Sequence, residues 1–95
     1  MAALSEAGVR ARLGSLEGWS LGNGDIEAQF TFDSFQTAMA FVNRVAELAE
    51  LAGHHPDITV NYNRVTLALS THSEGGITVK DFDLAREINS IERRA

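Results

Sequence analysis

Residues 53–72 read GHHPDITVNYNRVTLALSTH, and the rest of the chain is organised around this stretch. Apolar and polar residues alternate from Ile58 to Ser70, as they do in two antiparallel strands joined by a tight turn. All three histidines of the chain lie at the two ends of this segment, and they are His54, His55 and His72. Because a hairpin brings its own ends together, we predict that the three imidazoles face one pocket.

The same alternation predicts where the third histidine points. Val65, Leu67 and Leu69 would form the buried row of the second strand, and strict alternation places His72 on the opposite face. His72 is therefore not expected to be a core histidine. At the other end, Pro56 cannot continue a helix and favours an extended conformation.

Capping signals predict three helices in the remaining chain. Ser5 can cap a short first helix that runs to about Leu13. Asp33, with Gln36 three residues later, is expected to open the longest helix, and Gly53 to end it. Helical spacing predicts that the long helix buries Phe35, Met39, Val42, Val45, Ala49 and Ala52.

The last helix is predicted to begin at a capping box, Thr78-Val79-Lys80-Asp81. Its expected apolar face consists of Phe82, Ala85, Ile88 or Asn89, and Ile91. Arg93 and Arg94 would lie near the negative end of the helix dipole.

Two hairpins and three helices predict an α+β fold. Residues 18–21 and 26–32 alternate on either side of a turn cluster, so they form the first hairpin. We expect a four-stranded antiparallel sheet with three helices packed on one face, in the order helix-strand-strand-helix-strand-strand-helix. The 95 residues fit one domain that spans positions 1–95.

Composition disfavours several classes of function. The chain has no cysteine, which excludes disulfides and thiolate metal sites, and its net charge of −5 disfavours nucleic-acid binding. An apolar run of the ~20 residues needed to cross a membrane is missing, and Met1 to Arg12 does not resemble a signal peptide, so a cytoplasmic protein is expected. A domain this small buries only about 60–65% of its unfolded surface, so we expect a homodimer or homotetramer.

Histidine chemistry offers three interpretations of the cluster. Two separated imidazoles can donate and accept protons near neutral pH, while the sequence lacks a recognisable nucleophile motif. Three histidines can also bind zinc, but the adjacent side chains of His54 and His55 diverge in an extended segment. A structural or surface role for the histidines is the third interpretation.

A family resemblance runs through the same motifs. His54-His55-Pro56, the turn at residues 62–65, Thr71-His72 and the segment 75–81 resemble pterin-4a-carbinolamine dehydratase. Weaker similarity extends over roughly Leu16 to Ile91. The resemblance implies removal of water from 4a-hydroxytetrahydrobiopterin to give quinonoid dihydrobiopterin, with neither a metal nor another cofactor.

The resemblance also implies roles for single residues. His54 and His72 would be the acid–base pair, and His55 would mainly hold the pterin substrate. The other residues expected at the substrate site are Glu50, Gly53, Ser70, Thr71, Ser73 and Asp81. Gly53 stands where animal members often carry Asp, Asn or Gln, so a side-chain contact is absent there. Asp81 is equally well placed as the cap of the last helix.

Two alternatives to this reaction remain open. Animal members of the family also bind a transcription factor and stabilise its dimer, so the chain could be a protein-binding module. The last helix and an exposed strand edge would serve such contacts. A dehydratase acting on another pterin, including a molybdopterin-type compound, is the second alternative.

Overall fold

The computed structural model describes the backbone of residues 2–94 and the side chains of residues 2–91, and within these residues it confirms the predicted α+β order. The elements are α1 (Glu6–Leu13), β1 (Trp19–Leu21), β2 (Ile26–Thr31), α2 (Phe35–Ala52), β3 (Asp57–Asn61), β4 (Arg64–Leu69), a one-turn 3₁₀ helix (His72–Glu74) and α3 (Val79–Arg94). The strands form one antiparallel sheet in the order β1-β2-β4-β3. No helix of the described part is long and apolar enough to cross a membrane.

The core lies between the helices and one face of the sheet. In the central pair of strands, Ile26 lies opposite Leu69 and Ala28 opposite Leu67, so their apolar side chains share a face. Ile26, Leu67 and Leu69 are fully buried. Residues such as Glu27 occupy the other face, which is polar. Alternation along these strands therefore sorts the two faces, as predicted.

Helix α2 begins and packs differently from the prediction. Ser34, not Asp33, is the N-cap, because its hydroxyl accepts a hydrogen bond of 3.1 Å from the Thr37 N–H. Its buried residues are Ala38, Phe41, Val45 and Ala49, whereas the predicted core residue Phe35 is half exposed.

The buried stripe of α2 is rotated because the helix packs on an aromatic cluster. The Phe41 ring centroid lies 4.8 Å from that of Phe30 and 5.0 Å from that of Phe32. These contacts draw Phe41 inward, and the prediction missed that residue. Val45 and Ala49 belong to both the predicted and the observed stripe.

The cap of α3 by Thr78 and Asp81 is confirmed, although the Thr78 hydroxyl accepts from Lys80 N and not from Asp81 N. The Thr78 N–H donates to Asp81 Oδ2 at 2.9 Å, and Lys80 N donates to Thr78 Oγ1 at 3.2 Å. The buried face of α3 consists of Phe82, Leu84, Ala85, Ile88 and Ile91. Leu84 was not predicted. The side chains of Arg93 and Arg94 lie outside the described residues.

Asn89 connects α3 to the first hairpin. Its Oδ1 accepts a hydrogen bond of 2.9 Å from the buried Trp19 Nε1, and its Nδ2 donates to the Glu17 carbonyl at 3.0 Å. Trp19 therefore anchors the first hairpin to the last helix, with its indole donor satisfied.

The end of β4 corrects the argument for His72. The strand ends at Leu69, Thr71 forms an isolated bridge with Gly76, and His72 begins the 3₁₀ turn. Strict alternation thus stops before His72. His72 is nevertheless exposed, as expected, because the turn carries it away from the core.

Candidate active site

The end of helix α2 positions the histidine pair. Gly53 adopts the left-handed conformation, with φ 63° and ψ 33°, and the following His54 N–H donates to the Ala49 carbonyl at 3.1 Å. Pro56 then leads into β3, whose first residue Asp57 lies opposite Ala68 near the end of β4. The His54–His55 segment and the segment after β4 therefore lie at the same end of the hairpin.

Asp81 is the buried centre of this region. It has no exposed surface, and His54 Nε2 contacts its Oδ1. Its Oδ2 accepts hydrogen bonds from Thr71 Oγ1 at 3.0 Å and from the Thr78 N–H at 2.9 Å. A buried carboxylate needs such partners, since an unpaired one would be very costly. Asp81 thus caps α3 and holds a histidine with the same side chain.

His55 and Glu50 form an exposed pair. His55 Nε2 lies 2.5 Å from Glu50 Oε2, and the two side chains are 62% and 77% exposed. A pair this open contributes little to stability because solvent screens it. Both side chains are accessible to a ligand.

An open cleft of about 350 Å³ borders His72. It is lined by Asn23, Gly24, Asp25, Asp57, Ser70, His72, Gly75 and Gly76. Ser70 and His72 therefore share a cleft, whereas His54 and His55 do not belong to its lining. Thr71 connects the two regions, because it directly precedes His72 and bonds to the Asp81 carboxylate that His54 contacts.

A carboxyl pair beside the cleft was missed from the sequence, and it consists of Asp25, which lines the cleft, and the neighbouring Glu27. Burial is the largest cause that raises the pKa of Asp25, a hydrogen bond that its protonated form donates to Glu27 and the negative charges of Glu27 and Asp57 act in the same direction, and together they bring it to about 6. A methyl group at Gly22 would overlap both the Glu27 and the Asp25 carboxylate oxygens. Asp25 and Glu27 are two residues apart, the spacing that puts strand side chains on one face, and this spacing was the available signal.

The remaining predicted site residues lie in different environments. Gly53 and Ser73 are exposed, whereas Thr71 is buried and its hydroxyl is bonded to Asp81. Their contacts with a substrate stay predictions. The Thr78 hydroxyl, 2.8 Å from that of Thr71, was recognised only as part of a cap. Among the described residues, no group of three or more His, Asp or Glu side chains has an arrangement suited to a metal ion.

Chemically, this arrangement offers two different imidazoles. His54 is mostly buried, its side chain 11% exposed, and is oriented by a carboxylate, while His72 is exposed beside a cleft. A histidine held by a buried carboxylate is the arrangement that orients an imidazole for proton transfer in many enzymes.

Comparison with known proteins gives a consistent result. The family model of pterin 4 alpha carbinolamine dehydratase matches residues 2–91. A protein of Acidobacterium capsulatum, provisionally named a pterin-4-alpha-carbinolamine dehydratase, is 55% identical over 91 residues, which cover 96% of this chain and 99% of the relative. A Sulfolobus acidocaldarius protein with the same provisional name is 48% identical over 89 residues, covering 94% and 98%.

Solved structures agree with the sequence comparison. The crystal structure of a transcriptional coactivator/pterin dehydratase from Brucella melitensis superposes with a TM-score of 0.90 at 39% identity, covering 95% of this chain and 98% of that one. A pterin dehydratase-like protein identified as a RuBisCO assembly factor in the alpha-carboxysome shares the fold, with a TM-score of 0.68 at 22% identity over 80% of this chain and 90% of that one. Since the family model matches nearly the whole chain and full-length relatives are about half identical to it, the chain belongs to the pterin-4-alpha-carbinolamine dehydratase family.

Proposed function

We propose that the protein is a 4a-hydroxytetrahydrobiopterin dehydratase that acts by histidine acid–base catalysis and supports tetrahydrobiopterin recycling. The observation that carries this proposal is the contact of His54 with the buried Asp81, at the end of the hairpin where His72 borders an open cleft. Family membership supports a pterin as the substrate class.

The reaction requires two proton transfers. The bond between the carbinol carbon and its hydroxyl breaks, and the hydroxyl leaves as water after an acid has protonated it. The neighbouring ring nitrogen gives its proton to a base, and its electron pair forms the new carbon–nitrogen double bond. The reaction needs no oxidant or reductant. In our proposal His54 and His72 supply the acid and the base, a task that suits imidazoles near neutral pH.

The other predicted site residues would bind the pterin. His55 is exposed beside Glu50, so its ring is accessible to a bound substrate, and Ser70 borders the cleft next to His72. Glu50 and Asp81 are the carboxylates of the proposed site. Thr71 and Ser73 would flank the pterin, partly through backbone groups, and Gly53 leaves space where other family members have a side chain.

A dehydration assay tests the proposal. Purified protein is added to enzymatically generated 4a-hydroxytetrahydropterin in the presence of a metal chelator, and water loss is measured above the uncatalysed rate. We expect acceleration that the chelator does not reduce. Activity that is lost on chelation and restored by zinc would reject the metal-free mechanism. A folded protein without any acceleration would reject the dehydratase, and molybdopterin-type compounds would then be assayed as alternative substrates.

Protein binding is the second candidate function. The similar Brucella melitensis protein is described as a transcriptional coactivator as well as a pterin dehydratase. In this chain, strand β3 lies at an edge of the sheet and most of its residues are exposed, so its backbone groups can pair with a partner. A folded protein that is inactive on every pterin tested would favour this function. For either function we propose the cytoplasm as the place of action.

A further inference from the structure

Two buried threonine hydroxyls adjoin the proposed active site without a part in the reaction described so far. Thr71 is 4% exposed and Thr78 is fully buried. Their Oγ1 atoms lie 2.8 Å apart, and Thr71 Oγ1 lies 3.0 Å from Asp81 Oδ2. The two hydroxyls therefore form a row that ends on the carboxylate bonded to His54.

The hydrogen bonds of this row can run in only one direction. A carboxylate only accepts, so Thr71 must give its single hydroxyl proton to Asp81. Thr78 must then donate its own proton to Thr71, and the Thr78 oxygen accepts from Lys80 N at 3.2 Å. The row thus runs from Lys80 N–H through Thr78 and Thr71 to Asp81.

The direction of these hydrogen bonds determines which oxygen of Asp81 is left to accept from His54. Asp81 Oδ2 receives two donors, the Thr71 hydroxyl and the Thr78 N–H. Its Oδ1 is left to accept from His54 Nε2. A neutral imidazole carries one N–H, so the proton lies on Nε2 and Nδ1 keeps a free electron pair.

We propose that Thr71 and Thr78 are positioning residues, which act through Asp81 to hold His54 with its proton on Nε2 and leave Nδ1 to exchange a proton with the substrate. The exchange with substrate rests on the proposed dehydratase function, whereas the position of the proton does not. Thr71 has a second role, because its N–H bonds to the Gly76 carbonyl at 2.8 Å and so fixes the turn that carries His72.

Replacement of Asp81 by Asn gives the sharpest test. In Asp81→Asn the amide oxygen must occupy the Oδ2 position, where two donors converge, so the amide NH₂ points at His54 Nε2. That nitrogen must then accept, and the proton moves to Nδ1. We expect ¹⁵N-resolved NMR of the free protein to find Nε2–H in the wild type and Nδ1–H in Asp81→Asn. A wild-type Nδ1–H, or no change in Asp81→Asn, would overturn the proposal.

Variants of Thr71 distinguish the effect of losing its hydroxyl from a general effect on the structure. Adding Thr71→Val to Asp81→Asn removes one of the two donors that orient the amide, so we expect a mixture of the two tautomers. Thr71→Ser keeps the hydroxyl and should preserve Nδ1–H. Thr66→Val on the outer face of the sheet is the matched control and should also leave Nδ1–H unchanged.

If circular dichroism shows that Asp81→Asn does not fold, a second test uses protein in which Asp81 is intact. In wild-type protein we expect a slowly exchanging Nε2–H proton of His54. Its exchange with solvent should be faster in Thr71→Val and in Thr78→Val, where Asp81 is held less firmly, and unchanged in Thr71→Ser and Thr66→Val. Exchange at the wild-type rate in either valine variant would overturn the role of that threonine. Because no substrate is present, these results do not depend on whether the protein is a dehydratase.

Discussion

At the scale of single residues, the carboxylate of Asp81 both caps α3 and contacts His54. The cap was predictable, because Thr78 and Asp81 are three residues apart and the capping box is a local pattern. The contact with His54 was not predictable from periodicity or spacing, since it spans 27 residues and depends on where the hairpin places α3. The sequence could therefore suggest both residues as site members without revealing that they touch.

Because His55 and His72 have different surroundings and proposed roles, we expect their replacement to change different kinetic parameters. His72→Ala should lower kcat by about 10²–10⁴-fold, the usual contribution of one acid–base group. His55→Ala should chiefly raise KM, because a side chain that holds substrate equally in ground and transition states affects binding alone. Steady-state kinetics would measure both effects, with circular dichroism to confirm the fold. Identical kinetics in both variants and the wild type would mean that these two histidines are not catalytic.

Asp25 should make the folded protein less stable as the pH rises, which is the opposite of the usual effect of a carboxylate. Its folded-state pKa is raised from 3.8 to about 6, mainly by burial, so the folded protein holds this proton more tightly than the unfolded chain. Its contribution to stability is present below pH 4 and is lost as the pH rises towards 6. Asp25→Asn cannot lose a proton, so its stability relative to wild type should increase across this window.

Urea unfolding at several pH values measures this difference. Asp33→Asn, which removes another exposed carboxylate, is the matched control and should keep a constant offset from the wild type. A constant offset for Asp25→Asn as well would show that Asp25 has an ordinary pKa in the folded protein.

At the scale of elements, helix α2 illustrates the limit of local patterns. Its existence and its Gly53 end were predicted, because both depend on neighbouring residues. The rotation of its buried stripe was not predicted, since the contacts of Phe41 with Phe30 and Phe32 reflect tertiary packing against β2 and the residue that follows it. The same applies to β4, where the 3₁₀ turn at His72 replaces the expected continuation of the strand.

Gly53 provides a test of how the end of α2 supports the site. With φ at 63°, Gly53→Ala places a Cβ in the left-handed region, although no atom lies within 4 Å of that position. The expected loss is about 1 kcal/mol of unfolding free energy, from backbone strain alone. Gly53→Asn should lose less, because Asn tolerates this conformation. Urea denaturation would measure both, and an alanine variant as stable as the asparagine variant would contradict the strain argument.

At the scale of the whole molecule, the sheet has an exposed edge. Strand β3 pairs with β4 on one side, and its Ile58 is 36% exposed although it shares a face with the buried Leu67. Covering such an edge would bury apolar surface that a chain of 95 residues cannot cover by itself. We therefore expect at least a homodimer, with a homotetramer as the larger form.

Light scattering at micromolar concentration tests the oligomeric state. If β3 forms the contact, Ile58→Lys should shift the mass towards the monomer, while Ser20→Lys on the opposite edge strand β1 should not. A wild-type protein with the monomer mass would reject the expectation. A shift in the Ser20→Lys variant alone would move the contact to the other edge.

Histidine acid–base chemistry is the central claim, and the double variant His54→Ala/His72→Ala tests it most directly. Its rate of dehydration of 4a-hydroxytetrahydropterin would be compared with that of the wild type, with a metal chelator present and the fold checked by circular dichroism. Because both proton-transfer groups are removed, we predict a rate equal to the uncatalysed background. A double variant that keeps the wild-type kcat would contradict the account.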